Sequence, residues 1–387
     1  MISGTHRFPR QDAVVYGQPA AQAVSELAKR YGASRLMIMT TKSLGGPEGQ
    51  AARLAGELGA LCIGVFDAIA SHSPRADVVA GAEAARLAKA DMLVALGGGS
   101  VIDATKLMQF CIWAGISSPD ELGPWRLGRG EDRKNPAGIP SGIRMIAIPT
   151  TLSAAEFTAV AGVTDGERKV KEAYTHPDMA PRAIVLDAAI TLSTPSRLWF
   201  STGIKAVDHA VEQLCNLERA PMGDAVAAEG LRLLAKGLAA TKRDLSDLEA
   251  RAQCQHGMWL AISGAASGRG MGASHAIGHT LGGSYGVPHG ITSCITLHAV
   301  LEWNKGFGAT RQALVSRLMG RRRLPASVVV RDLVMNLGLP WRLSEVLIGR
   351  SHFREIAEHT MHDRGIRTNP RSIRSADDIV EILELAA

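Results

Sequence analysis

"ALGGGSVIDATK", residues 95–106, sets three glycines and a serine between an apolar run and a segment with Asp103 and Lys106 at helical spacing. A glycine-rich turn from a buried strand into a helix lets backbone N–H groups approach an anion, often a phosphate. The turn lacks the GxGxxG spacing, and glycine also serves plain tight turns. What it does is therefore decided by the segments around it.

Those segments alternate. RLMIM (35–39), LCIGVF (61–66), DMLVAL (91–96), RMIAIP (144–149) and AIVLD (183–187) read as short buried strands. Alanine-rich helical stretches lie between several of them, such as AAQAVSELAKRYG (20–32) and ADVVAGAEAARLAKA (76–90). This alternation predicts βαβ units and a largely parallel sheet with helices on both faces. Residues 117–142, rich in Gly, Pro and charge, read as a surface excursion. After about residue 190 the strand signals stop. STPSRLWFSTGIKAVDHAVEQLCN (193–216) opens with Ser and Thr as cap candidates, and helical patterns run to the end. The expected architecture is an α/β dinucleotide-binding domain over 1–189 and an all-helical catalytic domain over 190–387, with a cleft between them.

Composition bounds the function. A chain of 387 residues suits two domains, and 46% hydrophobic with 21% charged residues supports a sizeable core. Aromatics at 4% argue against a stacking surface for nucleic acid. The formal charge of +6 is scattered apart from GRRRL (320–324), read as a solvated helix end. A mildly positive surface suits an anionic substrate or cofactor. Cys62, Cys111, Cys215, Cys254 and Cys294 are far apart and odd in number, with no CxxC. This predicts neither a disulfide framework nor a cysteine metal site, and fits a reducing cytoplasm. No stretch approaches ~18 consecutive apolar residues. The expectation is a cytoplasmic homodimer with no membrane or nucleic-acid partner.

Histidines mark the chemistry. GASHAIGHTLGGSYGVPHG (272–290) places His275 and His279 on one helix face, and His289 follows a glycine–proline break that could turn the chain back. Lys205 and His209 are also four apart. Neutral imidazole is a common metal ligand, and several histidines in one domain predict a polar site.

ALGGGSVIDATK, IPTTLSAAEFTAVAGVTD (148–165), GIKAVDHAVEQL (203–214), HAIGHTLGGSYGVPHGITSCITLHAVLEWN (275–304) and TNPRSI (368–373) occur in this order. Together they resemble the iron-containing, or group III, alcohol dehydrogenase family. Within it the chain is similar to maleylacetate reductases, notably through HTLGG and the GGGS turn. The resemblance implies a dehydroquinate synthase-like fold, with a Rossmann-like parallel sheet followed by a helical domain. It also implies NADH or NADPH as cofactor and hydride transfer. Carried over by position, Gly97, Gly98, Gly99 and Ser100 would hold the pyrophosphate. Asp103 and Lys106 match the family's Asp and Lys. Thr150 and Thr151 match its cofactor-contacting threonines, and Thr41 and Lys171 complete the cofactor set. His209, His275 and His289 match three metal ligands, and His279 matches the histidine beside the nicotinamide.

The family's fourth ligand is an aspartate, and Lys205 stands in its place. Asp208 is set about 100° from His209 on the helix and is not expected to replace it. A protonated lysine has three donors and no acceptor. An ammonium ~4 Å from a dication costs several kcal/mol even at an effective dielectric of ~20. The expectation is therefore no bound metal, with Lys205, His209, His275, His279 and His289 as the catalytic set. Lys205 would donate to a carbonyl oxygen as charge develops there, and burial among imidazoles would lower its pKa. Ala154–Ala155 replace the family's Gly-Ser, and LHAV (297–300) replaces LPHV. Thr41 stands where some relatives have an aspartate, which with Lys42 adjacent admits NADPH. The leading expectation is a metal-independent reductase of an anionic oxo-acid or ring-cleavage product. The alternatives are a metal-dependent alcohol dehydrogenase and a non-redox lyase or hydrolase using Lys205.

Overall fold

The computed structural model describes residues 8–128, 132–168, 170–216, 218, 220–265 and 270–387. It forms two compact units, Phe8–Ser193 and Thr194–Ala387. Residues 129–131 of the expected surface excursion lie outside the described residues.

In the first unit six strands form one parallel sheet: β1 (Ala13–Tyr16), β2 (Leu36–Met39), β3 (Cys62–Phe66), β4 (Met92–Gly97), β5 (Arg144–Pro149) and β8 (Ala183–Leu186), ordered β1-β8-β5-β4-β2-β3. Five match the apolar runs read from the sequence. Every residue of β2, β4 and β8 is buried, because helices cover both faces of such a sheet. The connecting helices are α1 (Ala20–Tyr31), α2 (Gln50–Leu58), α3 (Arg75–Leu87) and α4 (Gly99–Ala114). Three strands escaped the sequence reading. β1 is a short, half-exposed edge strand. β6 (Val160–Asp165) and β7 (Val170–Thr175) form a separate antiparallel hairpin, with glycine and charged residues diluting its alternation.

That hairpin is tied to α3 by charge. Arg75, its side chain 8% exposed, pairs with Asp165 at 3.1 Å and with Glu172. Its Nε also donates to the Tyr174 hydroxyl at 3.1 Å. Arg168 adds a second pair to the same two carboxylates. Hydrogen bonds from the Arg168 backbone and side chain hold Asp165 down to about 2.

The second unit is helical throughout its described residues: α5 (Ser196–Cys215), α6 (Pro221–Arg243), α7 (Leu248–Ala265), α8 (Ala273–Tyr285), α9 (His289–Trp303), α10 (Ala309–Leu318), α11 (Ala326–Leu337), α12 (Phe353–Thr360) and α13 (Ala376–Leu385), with short 3₁₀ turns. α5 is the hub. It buries Trp199, Phe200, Ile204, Val207, Val211 and Leu214 and packs against α6, α7 and α9. Its N-cap is Pro195, with no side-chain cap, so the Ser/Thr cap expected there is corrected. The Ser193 hydroxyl instead donates back to Ile190 O at 3.3 Å. Gly286 closes α8 at φ 66° and Pro288 precedes α9, giving the reversal expected before His289. Gly290 presses against α5, where an added Cβ would lie 2.7 Å from the Ser201 carbonyl carbon. Among the described residues no helix is long and apolar enough to cross a membrane.

Arg75→Met leaves Asp165 and Glu172 without their buried cation and should destabilise the first unit by about 3–5 kcal/mol in denaturant unfolding. Asp165 titrates below its usual value of 3.8. Its contribution is therefore present above pH ~4 and is lost as pH falls through about 2. A parent protein with unchanged stability between pH ~4 and ~2, or Arg75→Met with parental stability, would contradict this assignment.

Candidate active site

Two clusters emerge, one in each unit. The first is built by strand register. Gly97 of β4 pairs with Pro149 of β5, and the Thr150 N–H donates to Gly97 O at 3.0 Å. The glycine turn therefore lies against 150–155. An added Cβ on Gly98 would meet Thr151 Cγ2 at 2.9 Å, and one on Gly99 would meet Ser153 Oγ at 3.0 Å. Glycine is needed here for close approach. Gly98 is the N-cap of α4 and no side chain caps that end. Among the described residues the buried Thr151 and Ser153 hydroxyls have no hydrogen-bond partner. A helix N-terminus, a turn free of side chains and two orphaned hydroxyls together fit the phosphates of a dinucleotide.

Asp103 and Lys106 brace this cradle. The Lys106 side chain is fully buried, and its Nζ donates to Ala155 O at 2.5 Å, Val160 O at 2.8 Å, Thr158 Oγ1 at 3.2 Å and Asp103 Oδ1 at 3.3 Å. Asp103 Oδ2 accepts from the Gly162 N–H at 3.1 Å. Burial pulls the Lys106 pKa down while Asp103 opposes it. Both residues thus pin 155–162 to α4. The Ser100 hydroxyl accepts from the His72 N–H at 3.1 Å. Lys171 is exposed on β7, and an added Cβ on Gly162 would lie 3.2 Å from its Nζ and 3.6 Å from Asp103 Oδ2. Both side chains thus flank Gly162. Thr41 follows β2, where its hydroxyl shares a 2.9 Å hydrogen bond with Ser43.

The second cluster is the histidine site. His209 stacks on His275 with centroids 4.9 Å apart, and His279 stacks on His289 at 5.4 Å. His275 lies 6.4 Å from both His279 and His289, edge to face. All four predicted histidines therefore converge, from α5, α8 and the first residue of α9. His209 and His275 are buried, His289 half-buried and His279 exposed. Burial first, then the charges of His275 and Lys205, hold His209 well below the usual imidazole value. Burial brings His275 to about 4, with Lys205 among the lesser causes pulling the same way. Lys205 thus acts electrostatically on both rings.

The sequence reading missed the carboxylates beneath the rings. Lys205, Asp208, His209 and Glu212 follow i, i+3, i+4, i+7 spacing, so they form one stripe of α5. Measuring Asp208 against His209 alone concealed this. The Asp208 side chain is fully buried, accepts from Ser274 Oγ at 2.8 Å and lies 3.5 Å from His275 Nδ1. Glu212, its side chain 6% exposed, accepts from the Gly272 and Ser274 N–H groups and shares a hydrogen bond with His275 Nδ1, all at 2.8 Å. Burial pushes Asp208 up to about 7 and Glu212 up to about 7. His279 Nδ1 is bonded to Asp363 at 2.8 Å. Burial raises Asp363, but hydrogen bonds from His279 and the Gly365 N–H outweigh it and hold the carboxyl below its usual value.

The donor set is mixed for a dication: His209 Nδ1 and His275 Nε2 are buried without a hydrogen-bond partner among the described residues. Lys205 brings a positive charge to the rings that would have to supply the lone pairs. One ligand atom each of Asp208, Glu212 and His275 lie within 4.8 Å of one another. Yet Glu212 is already occupied by backbone N–H groups, and His275 Nδ1 is its third partner.

The chain's relatives agree with this architecture. Residues 11–188 match the iron-containing alcohol dehydrogenase model, and 199–387 match the C-terminal model of the Fe-containing alcohol dehydrogenase family. The chain is 32% identical to dehydrogenase FUM7 of Gibberella moniliformis, over 97% of this chain and 96% of that protein. It is 30% identical to a maleylacetate reductase of Rhizobium sp., over 64% of this chain and 61% of that one. Among solved structures, maleylacetate reductase from Agrobacterium tumefaciens superposes with a TM-score of 0.83 at 27% identity, covering 100% of this chain and 98% of that one. The chain belongs to the iron-containing alcohol dehydrogenase family and is an oxidoreductase.

Lys106→Met removes the cation that holds four backbone and side-chain oxygens around the cradle. It should cost about 3 kcal/mol or more in unfolding of the first unit. Unfolding of this variant at the parent's denaturant midpoint would show that 155–162 is held by other contacts.

Proposed function

We propose that the protein is an NAD(P)H-dependent reductase that works without a resident metal on an anionic oxo-acid. The observation that carries this reading is Lys205, a positive charge among the rings that match the family's metal ligands. The likeness to maleylacetate reductases and the net charge of +6 support an anionic substrate. Thr151, Ser153 and the N-terminus of α4 would receive the dinucleotide phosphates. The sulfoacetaldehyde reductase from Bifidobacterium kashiwanohense, which shares this fold, is in complex with NAD, which supports a nicotinamide cofactor.

A reduced nicotinamide bound at the cradle would supply a hydride to the carbonyl carbon of the substrate. Lys205 donates an N–H to the carbonyl oxygen, where negative charge accumulates, and its proton completes the alcohol. His279 is 54% exposed and tied through Nδ1 to Asp363, so it is placed to return a proton from water. His209 and His275 are held neutral by burial, and the Lys205 charge adds to that effect on both rings.

Nicotinamide absorbance with NADH and NADPH, run against a panel of oxo-acids and aldehydes in chelator, tests this directly. Full activity is expected in chelator, with substoichiometric iron and zinc. Lys205→Met keeps the bulk of the stem and should cut turnover by roughly 10²–10³, with dinucleotide affinity nearly intact. One tightly held metal per chain, lost together with activity, would overturn the metal-free reading. Parental turnover in Lys205→Met would make the lysine a bystander.

A further inference from the structure

Each of the two histidines of α8 in the site has Nδ1 bonded to a carboxylate from another element: His275 to Glu212 of α5 and His279 to Asp363, which follows α12. Asp208 approaches the same His275 nitrogen from a second direction at 3.5 Å. The opposite ring atom, His275 Nε2, is buried and has no hydrogen-bond partner among the described residues. We propose that Glu212 and Asp363 are positioning residues that fix His275 and His279 in the Nδ1–H tautomer, so that His275 presents a bare, lone-pair-bearing Nε2 inside the site.

The geometry around Glu212 assigns the direction of the bond. The Gly272 N–H and His275 Nδ1 meet Oε2, and the Ser274 N–H meets Oε1. Backbone N–H groups can only donate. A group that takes two of them and still faces a ring nitrogen is satisfied most fully as an acceptor at both oxygens. With Glu212 ionised the imidazole is the donor through Nδ1, and a neutral ring is left with an acceptor at Nε2. Asp363 repeats the arrangement outside the buried layer. Its Oδ1 accepts from the Gly365 N–H at 2.7 Å, and its Oδ2 faces His279 Nδ1. Glu212 does a second job with the same oxygens. Gly272 is the N-cap of α8 and has no side chain for the task, so Glu212 serves the N–H groups at the start of that helix. An added Cβ on Gly272 would lie 2.8 Å from Glu212 Oε1, which shows how closely the cap is fitted.

A bare Nε2 is the complement of an ammonium. Lys205 carries three N–H donors and needs acceptors if it is to stay charged in a half-buried place. A ring with its proton on Nε2 would present a donor to a neighbouring cation instead. The Nδ1–H tautomer therefore suits a site in which the Lys205 charge is felt by both His209 and His275. This consequence for catalysis rests on the reductase reading, whereas the tautomer assignment does not.

Nitrogen-15 NMR of the full chain labelled at histidine, at a pH of about 8 where ordinary imidazoles (~6.5) are neutral, reads the tautomer with no substrate present. Single His→Gln variants assign the signals. The parent should show the proton on Nδ1 in His275 and in His279. In Glu212→Gln the amide NH₂ can donate to Nδ1, so the His275 proton should move to Nε2. Turnover should fall by roughly 10–100-fold while KM and dinucleotide affinity hold. Glu212→Asp, still an acceptor only, should keep the parental tautomer and recover part of the turnover. Asp363→Asn applies the same test to His279 at the more exposed pair, where loss of the fold is not at issue. A proton on Nε2 of His275 in the parent would overturn the proposal, as would unchanged ring signals in Asp363→Asn together with a folded Glu212→Gln. Failure of the reductase assay alone would leave the tautomer result standing and remove only its catalytic consequence.

Discussion

Glu212 ties two helices and a histidine together through one carboxylate. It begins on α5, reaches the uncapped start of α8 and ends on His275. A nearly buried carboxylate is expensive unless its oxygens are satisfied. Here each oxygen accepts at least one N–H, so the position of α8 and the orientation of its first histidine are set by the same hydrogen bonds. His275 then positions the rest: His209 stacks against it, and His279 and His289 close the far side.

A lysine among these rings changes what the site can do. His209 and His275 are held neutral, by burial first and by the Lys205 charge besides. Asp208 and Glu212 lie beneath on the same helical stripe, so positive and negative groups occupy successive turns of α5.

The α/β unit follows a different logic. Parallel register places the glycine turn after β4 beside the threonines after β5. Packing against Thr151 and Ser153 then requires residues without a Cβ. Lys106 holds the following loop from inside, through the carbonyl oxygens of Ala155 and Val160. The hairpin that follows is secured separately, by the Arg75 network. Cradle and hairpin thus rest on two buried cations, each surrounded by several oxygens.

The sequence alone carried the parallel sheet, the change to helices near residue 190, the glycine turn and the four histidines. Each of these is written in local order: apolar runs of strand length, glycine between strand and helix, histidines at i, i+4 with a reversal before His289. It did not yield β1 or the β6–β7 hairpin, because an edge strand and a charged hairpin lack the continuous apolar run of buried strands. It also passed over Asp208 and Glu212, although their i+3 and i+7 spacing from Lys205 was present to be read. Asp363 had no such signal. It lies 84 residues from His279, and only the packing of the helical unit brings the two within 2.8 Å. The residue types and their local faces were fixed by sequence. Which carboxylate meets which imidazole nitrogen was decided by tertiary structure, because that pairing depends on helices that approach only when their apolar faces are buried.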